Sequence, residues 1–362
     1  MSAPQQSWPK KTSRGVWALW ITAGVLLIVM GLLWQRQRGR LRDGLVVFCA
    51  HDLTYAEPIL RAFEQRTGIP VEIVGDTEAS KSLGLVERLL HDPGTRCDLF
   101  WNNQIAGTDR LQAADLLVSY RGSGWKRIPD RYKDPAGQWT GFAARLRVWI
   151  VYRPSLSLDQ IAPYLQQPDW SQFAMSKPLY GTMLTQYSYY QETWPTGQLQ
   201  EWHRQFLQRG GKLVAGNATV KDLVASGACQ LGMTDTDDAF VAEEAGAPIA
   251  MRPITVGDLL PPRRAAESAV AADGVFVIPN TVAILRRTKQ LPAAQQLVDF
   301  LVSAETEQQL ARSSSRQIPL GPVKSEQLPS QVTALLPWIA RGIDLRNLTA
   351  AQAACLWWGL SR

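Results

Sequence analysis

Short apolar runs and amphipathic stretches alternate along the chain from residue 45 onward. The apolar runs have the length and composition of buried strands, and the amphipathic stretches carry apolar residues at helical spacing. One amphipathic stretch begins with Thr54–Glu57, which has the S/T-x-x-E form of a capping box, and Gly68 supplies its C-terminal stop. Strands that alternate with helices predict an α/β unit with a parallel sheet. The first three predicted strands lie at 45–50, 71–74 and 97–101, and the next two helices at 82–90 and 105–116.

Two longer strand-like stretches bracket a second region of alternating elements. They lie at 142–152 and at 275–285, and Pro279–Asn280 interrupts the latter. We expect the bracketed region to fold as its own lobe, so that two α/β lobes are joined by two crossing strands. A cleft then separates the lobes, and clefts between domains are where small ligands bind. A helix at 292–312 and a helical tail at 325–362 follow.

An uncharged apolar run at 16–34 precedes this body. At about 1.5 Å per residue the run spans about 28 Å, which is close to the hydrocarbon thickness of a bilayer. Tryptophans lie towards both of its ends, and bulky and basic residues follow it where a cleavage site would need small ones. We therefore predict an uncleaved transmembrane anchor rather than a cleaved signal peptide or a buried core helix.

The basic excess belongs to the first segment of the chain. The net charge is +6, and residues 1–44 hold seven basic residues and one acidic residue, so the body from residue 45 is neutral. A nucleic-acid-binding protein would carry its basic excess on the folded body, which excludes that class. Three basic residues precede the apolar run and four follow it. The basic residues on the two sides of the run are therefore nearly balanced, and by the positive-inside rule they slightly favour a cytoplasmic body.

The four cysteines form no CxxC motif. Cys49 ends the first predicted strand and Cys97 begins the third. If these strands are parallel neighbours, their offset separates the two cysteines by about 13 Å, beyond the roughly 7 Å that a disulfide allows between Cα atoms. We predict free thiols buried in the core.

Polar residues follow several predicted strands, at the sheet edge where ligands bind in open α/β folds. Each of these positions also has an ordinary structural interpretation. His51 supplies a ligand nitrogen or is an ordinary turn residue. The Asp76–Glu78 segment contacts a ligand or caps the next helix. The asparagine pair binds a polar ligand or forms an Asx turn. The residues are His51, Asp76, Thr77, Glu78, Asn102 and Asn103.

A further segment, Thr234–Asp238, carries three carboxylates within five residues. They belong to Asp235, Asp237 and Asp238, and Thr236 lies among them. Like charges this close require a cation, an arginine or solvent. The segment is not an EF-hand, because Ala239 and Phe240 occupy the fifth and sixth positions of that pattern. It contacts a cationic ligand or forms a solvated acidic turn.

Arg145 lies on the first crossing strand. Its guanidinium can pair with these carboxylates or with an anionic part of a ligand, and an interlobe ion pair is the structural alternative. Tyr187, Tyr189 and Tyr190 form a cluster in the second lobe that lines the cleft or belongs to the core.

Six sequence blocks, in order along the body, resemble one known family. They are LVVFCAHDLTYAEPILRAFEQRTGIPVEIV (45–74), RCDLFWNNQIAG (96–107), GFAARLRVWIVY (141–152), NATVKDLVASGACQLGMTDTDDA (217–239), IPNTVAIL (278–285) and AAQQLVDFLVSAETEQQLA (293–311). The body resembles an extracellular solute-binding protein of the type II periplasmic-binding-protein fold. Within that fold it is most similar to the ferric-iron-binding proteins of ABC transporters.

The resemblance implies a set of ligand positions. His51 falls where the ferric-binding relatives have a ligand histidine, and Asn103 where they often have a glutamate. Their pair of adjacent tyrosines is absent, and Thr234–Asp238 occupies that place. Phenolate is the hard anionic donor that ferric ion prefers, and carboxylates suit hard cations with less selectivity. His51, Asp235 and Asp237 are the implied metal ligands.

The resemblance also implies a function. The chain would be no enzyme and need no cofactor, and it would close its two lobes over a cationic solute, a ferric ion with an anion or chelator. It would deliver the solute to the permease and ATPase subunits of an ABC importer from outside the inner membrane. The alternatives are a polyamine-like organic cation as ligand, a non-transport sensor or scaffold, and an enzyme whose acidic segment holds a metal, for which no nucleophile motif is present.

The predicted fold class is α/β, with two lobes, two crossing hinge strands and one preceding transmembrane helix. The predicted segments are a cytoplasmic N-terminal segment (1–15), the transmembrane helix (16–34), a basic linker (35–44), the first lobe (45–145 and 276–322), the second lobe (146–275) and a C-terminal helical tail (323–362).

Overall fold

The computed structural model describes residues 30, 44–76, 83–259 and 272–357. The chain divides into two units, 1–44 and 45–362. The strands and helices below all belong to the second unit. Within the described residues, no helix combines the length and the apolarity that a bilayer crossing requires. The predicted anchor at 16–34 lies outside the described residues, apart from Met30.

Ten strands of the described residues form one mixed sheet. Its order is β2-β1-β3-β10-β5-β8-β6-β7, with β4 beside β10 and β9 beside β5. The strands are β1 (Leu45–Cys49), β2 (Val71–Gly75), β3 (Leu99–Asn102), β4 (Leu117–Val118), β5 (Thr140–Tyr152), β6 (Phe173–Ser176), β7 (Lys212–Val214), β8 (Leu231–Asp235), β9 (Ile249–Pro253) and β10 (Val277–Leu285).

Helices cover both faces of this sheet, as expected when strands alternate with helices. In the described residues they are α1 (Leu53–Thr67), α2 (Leu83–His91), α3 (Ile105–Ala113), α4 (Ile161–Leu165), α5 (Gly181–Thr193), α6 (Gln198–Gln208), α7 (Asn217–Ala225), α8 (Thr236–Glu244), α9 (Leu291–Leu301), α10 (Ala304–Arg312), α11 (Ser330–Ile339) and α12 (Thr349–Trp357).

The parallel start of the sheet confirms the predicted βαβ arrangement. β1 pairs in parallel with β2 on one side and with β3 on the other. Cys49 is opposite Trp101, four residues beyond Cys97, so the two cysteines are offset along neighbouring strands as expected. All four cysteines are free and buried.

Several helix and strand boundaries differ from the predicted ones. The N-cap residue of α1 is Asp52, two residues before Thr54, with which the predicted capping box begins. The helix ends as predicted at Gly68, which has φ 71°. The predicted helix at 292–312 is two helices, α9 and α10, because the Ser303 hydroxyl accepts the N–H of Thr306 and starts a new helix. The predicted break at Pro279–Asn280 is a register shift inside one strand, β10.

β5 joins the two lobes. Its residues Thr140 to Leu146 pair with β10, and its residues Arg147 to Val151 pair with β8. Twelve of its thirteen residues are buried, so both of its faces are covered. β5 therefore belongs to both lobes, and the first lobe (β1–β4, β10) meets the second (β6–β9) along it.

The C-terminal tail contacts both lobes. Val332, Leu335 and Ile339 of α11 are buried in the same core as Phe142 of β5. The following extended segment is held to the first lobe by the N–H of Asn347, which donates to Asp109 Oδ2 at 2.9 Å. α12 then packs against α5 of the second lobe. As far as residue 357, the last that the structure describes, the predicted helical tail is thus two helices with an extended segment between them.

Candidate ligand-binding site

A cavity of about 720 Å³ lies between the two lobes, beyond the carboxyl ends of β1, β3 and β8. Polar groups from both lobes line it, in the position where open α/β sheets bind ligands. The first lobe contributes the start of α1 and the segment after β3, and the second contributes the starts of α5, α7 and α8. Among the lining residues are His51, Asp52, Asn103, Arg145, Thr182, Asn217, Asp235, Asp237 and Asp238.

Asp235 ends β8 and accepts hydrogen bonds from four side chains. Oδ1 accepts from Nη1 of Arg147 at 2.7 Å, and Oδ2 accepts from Nε of Arg145 at 3.1 Å. Oδ2 also accepts from the Thr182 hydroxyl and from Nδ2 of Asn217, both at 2.9 Å. Because a carboxylate has about four acceptor positions, these donors occupy its capacity. Asp235 holds the two arginines in place in this structure.

Arg147 is a site residue that the sequence reasoning missed. It is fully buried, and besides Asp235 it donates from Nε to Gln186 at 3.0 Å and from Nη1 to Thr182 at 3.2 Å. Asn217 is a second residue at the cavity that the sequence patterns did not indicate. The sequence does contain a sign of the role of Arg147, because this residue lies in an apolar strand two positions after another arginine. A charge buried in such a strand requires a polar partner.

Arg145 has one nitrogen with no hydrogen-bond partner in the described part of the chain. Nε pairs with Asp235, and Nη2 donates to the carbonyl oxygen of Asn103 at 2.7 Å. Nη1 is buried and unpaired there, and the side chain is 6% exposed. A buried guanidinium N–H that lacks an acceptor is costly, so an oxyanion in the cavity would be stabilised by it.

Asp237 and Asp238 lie in the first turn of α8 and face the cavity. Burial raises the pKa of Asp237 well above its usual value; Arg145, 3.9 Å away, opposes this, and Asp238 adds to it. Burial and then the charge of Asp235 raise the pKa of Asp238 to about 6, although the Thr234 hydroxyl donates to it at 2.9 Å. Closely spaced carboxylates repel one another, and a cation that relieves this repulsion binds them more readily than it binds an isolated carboxylate.

The same three aspartates form a possible oxygen-ligand group. In Asp235, Asp237 and Asp238 the oxygen atoms that could bind a metal all lie within 4.8 Å of one another. Asp235 already accepts from two arginines, so Asp237 and Asp238 carry the carboxyl oxygens that are available to a ligand. Asp52 adds a further carboxylate at the first-lobe wall of the cavity.

Two helices of the second lobe begin at the cavity wall. α5 starts at Gly181 after Tyr180, and α7 starts at Asn217 after Gly216, all of which line the cavity. The first backbone N–H groups of a helix have no intrahelical partner, and the helix dipole places partial positive charge there. With Arg145 they form an electropositive wall that adjoins the acidic one, since Asn217 and Arg145 both donate to Asp235.

His51 lines the cavity and is 5% exposed. Its ring stacks on Trp101, with centroids 5.7 Å apart and an angle of 19° between the planes. Its Nε2 lies 3.1 Å from the amide nitrogen Nε2 of Gln317. His51 thus borders the ligand space, while one of its nitrogens faces a protein amide.

The other predicted site residues that the structure describes lie apart from the cavity lining. Asn102 is fully buried and bonds to the carbonyl of Gln104 at 2.8 Å and to the N–H of Asn103 at 2.9 Å, which is the Asx-turn interpretation. The Thr236 hydroxyl accepts the N–H of Leu146 at 3.2 Å. Asp76 is partly buried after β2, and Thr77 and Glu78 lie outside the described residues.

The tyrosine cluster belongs to the core of the second lobe. Tyr187 and Tyr190 are each 1% exposed, and the Tyr187 hydroxyl lies 3.0 Å from Nδ1 of His203. Among the described residues that line the cavity, Tyr55 and Tyr180 are the tyrosines present. Tyr180 donates to the carbonyl of Ala215, so its hydroxyl ties the starts of α5 and α7 together.

Comparisons with known proteins agree on the fold. A family model described as bacterial extracellular solute-binding protein matches residues 45–313. Iron-bound HitA from Pseudomonas aeruginosa superimposes with a TM-score of 0.71 at 18% identity, over 88% of this chain and 99% of that one. The Campylobacter jejuni ferric binding protein superimposes with a TM-score of 0.68 at 15% identity, over 86% and 99%.

A third similar structure carries a different ligand. AfuA from Actinobacillus pleuropneumoniae, with exogenous fructose-6-phosphate bound, has a TM-score of 0.65 at 16% identity, over 86% of this chain and 96% of that one. No curated protein matches the sequence. At these identities the structural likeness concerns the two-lobed α/β fold.

Proposed function

Because the chain belongs to the bacterial extracellular solute-binding proteins, we propose that it captures a ferric complex between its lobes for an ABC importer. The two lobes close over the solute, and the higher affinity of the closed state drives closure. The protein then delivers the solute unchanged to the permease and ATPase subunits. It acts as a binding protein rather than as an enzyme.

The observation that carries the proposal is the pair Asp237 and Asp238 at the cavity wall. In the described part of the chain no guanidinium donates a hydrogen bond to either carboxyl group, whereas two donate to Asp235, and burial raises the pKa of both. A cation that displaces their protons is then held by two carboxylates, and Asp52 adds a third at the first-lobe wall. Carboxylate oxygens suit hard cations such as ferric ion.

The adjoining electropositive wall supports a complex rather than a bare ion. Arg145 Nη1 and the starts of α5 and α7 are suited to an oxyanion. Without the adjacent tyrosines, the protein supplies few anionic donors to the metal. A chelator such as citrate would complete the coordination of the iron while its remaining carboxylates contact the electropositive wall.

A phosphorylated small molecule is the second candidate solute. The same electropositive wall favours it, and AfuA shares the fold and has exogenous fructose-6-phosphate bound in its structure. The acidic wall opposes it, because Asp237 and Asp238 would then face an anion without a cation between them. An organic cation such as a polyamine would leave the unpaired nitrogen of Arg145 unused.

Titration calorimetry on the full chain distinguishes these solutes. The arms are ferric citrate, citrate alone, fructose 6-phosphate and spermidine. We expect binding of ferric citrate and little heat with citrate alone. Heat with fructose 6-phosphate alone would favour the second candidate, heat with spermidine alone would favour an organic cation, and silence in all arms would refute a solute of this charge type.

Substitutions then assign the site. Asp237→Asn and Asp238→Asn should each weaken ferric citrate at least about tenfold, since each removes a charge from a partly buried pair. Asp169→Asn is the matched control, because Asp169 is exposed on the loop before β6. An unchanged affinity in both site variants would remove the acidic wall from the proposal.

We further propose that residues 16–34 anchor the protein in the inner membrane, with the body outside the cytoplasm. The uncharged run and its basic flank support this interpretation. An alkaline phosphatase fusion placed after residue 44 should be active. An inactive fusion would place the body in the cytoplasm, where a solute-binding protein could not serve an importer.

A further inference from the structure

A set of hydrogen bonds leads from the cavity into the first lobe. It begins at His51, whose Nε2 lies 3.1 Å from the amide nitrogen of Gln317. An amide nitrogen only donates, so His51 Nε2 is the acceptor. The amide oxygen of Gln317 accepts from Nδ2 of Asn280 at 2.6 Å. Gln317 and Asn280 are both fully buried, so bulk water does not compete for these bonds.

Asn280 in turn holds an unusual residue of β5. Its Nδ2 also donates to the carbonyl oxygen of Ala143 at 2.6 Å. Ala143 has φ 41°, in the left-handed region that residues with a Cβ adopt at a cost. The register of β10 against β5 shifts between Pro279 and Asn280, so Ala143 is the extra residue of a β-bulge.

The N–H of Ala143 is held as firmly as its carbonyl. It donates at 2.8 Å to Oε1 of Glu307, a fully buried carboxylate that pairs with Arg127 at 2.6 Å. The bulge lies two residues before Arg145, close to the point where β5 changes partners from β10 to β8. Strain that neighbouring groups hold in place marks a position where a conformational change is stored.

We propose that Gln317 and Asn280 are positioning residues that couple the state of His51 to the hinge bulge at Ala143. A solute that takes the acceptor position of His51 Nε2 displaces the Gln317 amide. Gln317 and Asn280 then rearrange, the Ala143 carbonyl is released, and the two halves of β5 turn relative to each other. His51 bonded to Gln317 thereby favours one arrangement of the hinge, and His51 bonded to a solute favours the other. This deepens the proposed function, because it assigns the regulation of the same cavity.

The coupling can be tested on the full chain without any solute, so failure of iron binding would not affect the result. Ala143→Gly removes the Cβ that disfavours the left-handed conformation and does not touch His51. In protein labelled with ¹⁵N at histidine, we expect Ala143→Gly to shift the ring-nitrogen resonances of His51. The shift should vanish when Gln317→Met is added. His91, which is exposed on α2, is the internal reference and should not move.

Two results would overturn the inference. One is a His51 spectrum that Ala143→Gly leaves unchanged, and the other is a shift that persists in the double variant with Gln317→Met. Circular dichroism verifies that each variant is folded. If Gln317→Met does not fold, Asn280→Leu interrupts the same path one step later with a side chain of similar size, and it should abolish the shift in the same way.

Discussion

Nη1 of Arg147 lies 2.7 Å from Oδ1 of Asp235, and neither side chain is more than 3% exposed. The two residues lie opposite each other on β5 and β8, and β8 ends at the cavity. Because Asp235 also binds Arg145, this ion pair sets the position of the arginine that lines the cavity. A structural pair deep in the lobe thus determines the geometry of the site.

We predict that Arg147→Met destabilises the protein by about 3–5 kcal/mol, because it leaves a buried carboxylate with one fewer charged partner. Urea unfolding at neutral pH measures this loss. Arg204→Met is the matched control, since Arg204 pairs with Glu201 on the exposed face of α6. Its cost should stay within about 0.5 kcal/mol. Equal losses of unfolding free energy in the two variants would mean that the buried pair stabilises the protein no more than the exposed pair does.

We predict that ferric citrate binds less tightly as the pH falls from 7.5 to 5. Asp238 has a pKa of about 6 in the solute-free protein. A cation binds its ionised form, so below that pH the cation must displace a proton. Asp238→Asn should bind more weakly than the wild type and with a smaller pH dependence. Calorimetry on both proteins at the two pH values, with the citrate excess constant, measures the difference. Parallel pH profiles would contradict the assignment.

Asp109 should make the protein less stable as the pH rises. Burial raises its pKa from 3.8 to about 7, although the N–H of Asn347 opposes the shift. A pKa that is higher in the folded state gives stabilisation that is complete below about pH 4 and is lost as the pH rises through about 7. Asp109→Asn keeps an acceptor oxygen and cannot ionise. We expect it to match the wild type at pH 4 and to exceed it by up to about 3 kcal/mol at pH 8.

Urea unfolding at both pH values measures this difference. Asp273→Asn is the control, because the Asp273 side chain is 87% exposed. It should show no pH-dependent gain. If Asp109→Asn is less stable than the wild type at pH 8, the ionised Asp109 stabilises the tail, and the predicted sign is wrong.

Gly68→Ala should destabilise the protein by about 1 kcal/mol. Gly68 ends α1 at φ 71°, and a Cβ placed there would meet nothing within 4 Å, so the cost comes from the backbone conformation alone. Gly68→Asn should cost less, because asparagine tolerates the left-handed region. Thermal unfolding of the two variants gives the comparison. An equal loss for both would point to the side chain rather than to φ.

The sequence by itself determined the fold class and the edge of the sheet at which the cavity lies. The alternation of apolar runs and amphipathic stretches is a local property, and it predicted the parallel strands and the long strand β5 that pairs with both lobes. Parallel strands present their carboxyl ends at one edge. His51, Asn103, Arg145 and Asp237 therefore lie at the cavity for a reason that can be read from residue order.

Only the tertiary structure decided which charges remain available to a ligand. Asp235 is occupied by Arg147, 88 positions away along the chain, and His51 Nε2 faces Gln317, 266 positions away. The periodicity of apolar residues cannot predict such pairs. Hydrogen bonds between distant segments depend on how helices and strands pack, and not on the spacing of residues along the chain. Asp237 and Asp238 keep carboxyl oxygens that accept from neither arginine because the fold directs both guanidiniums to Asp235.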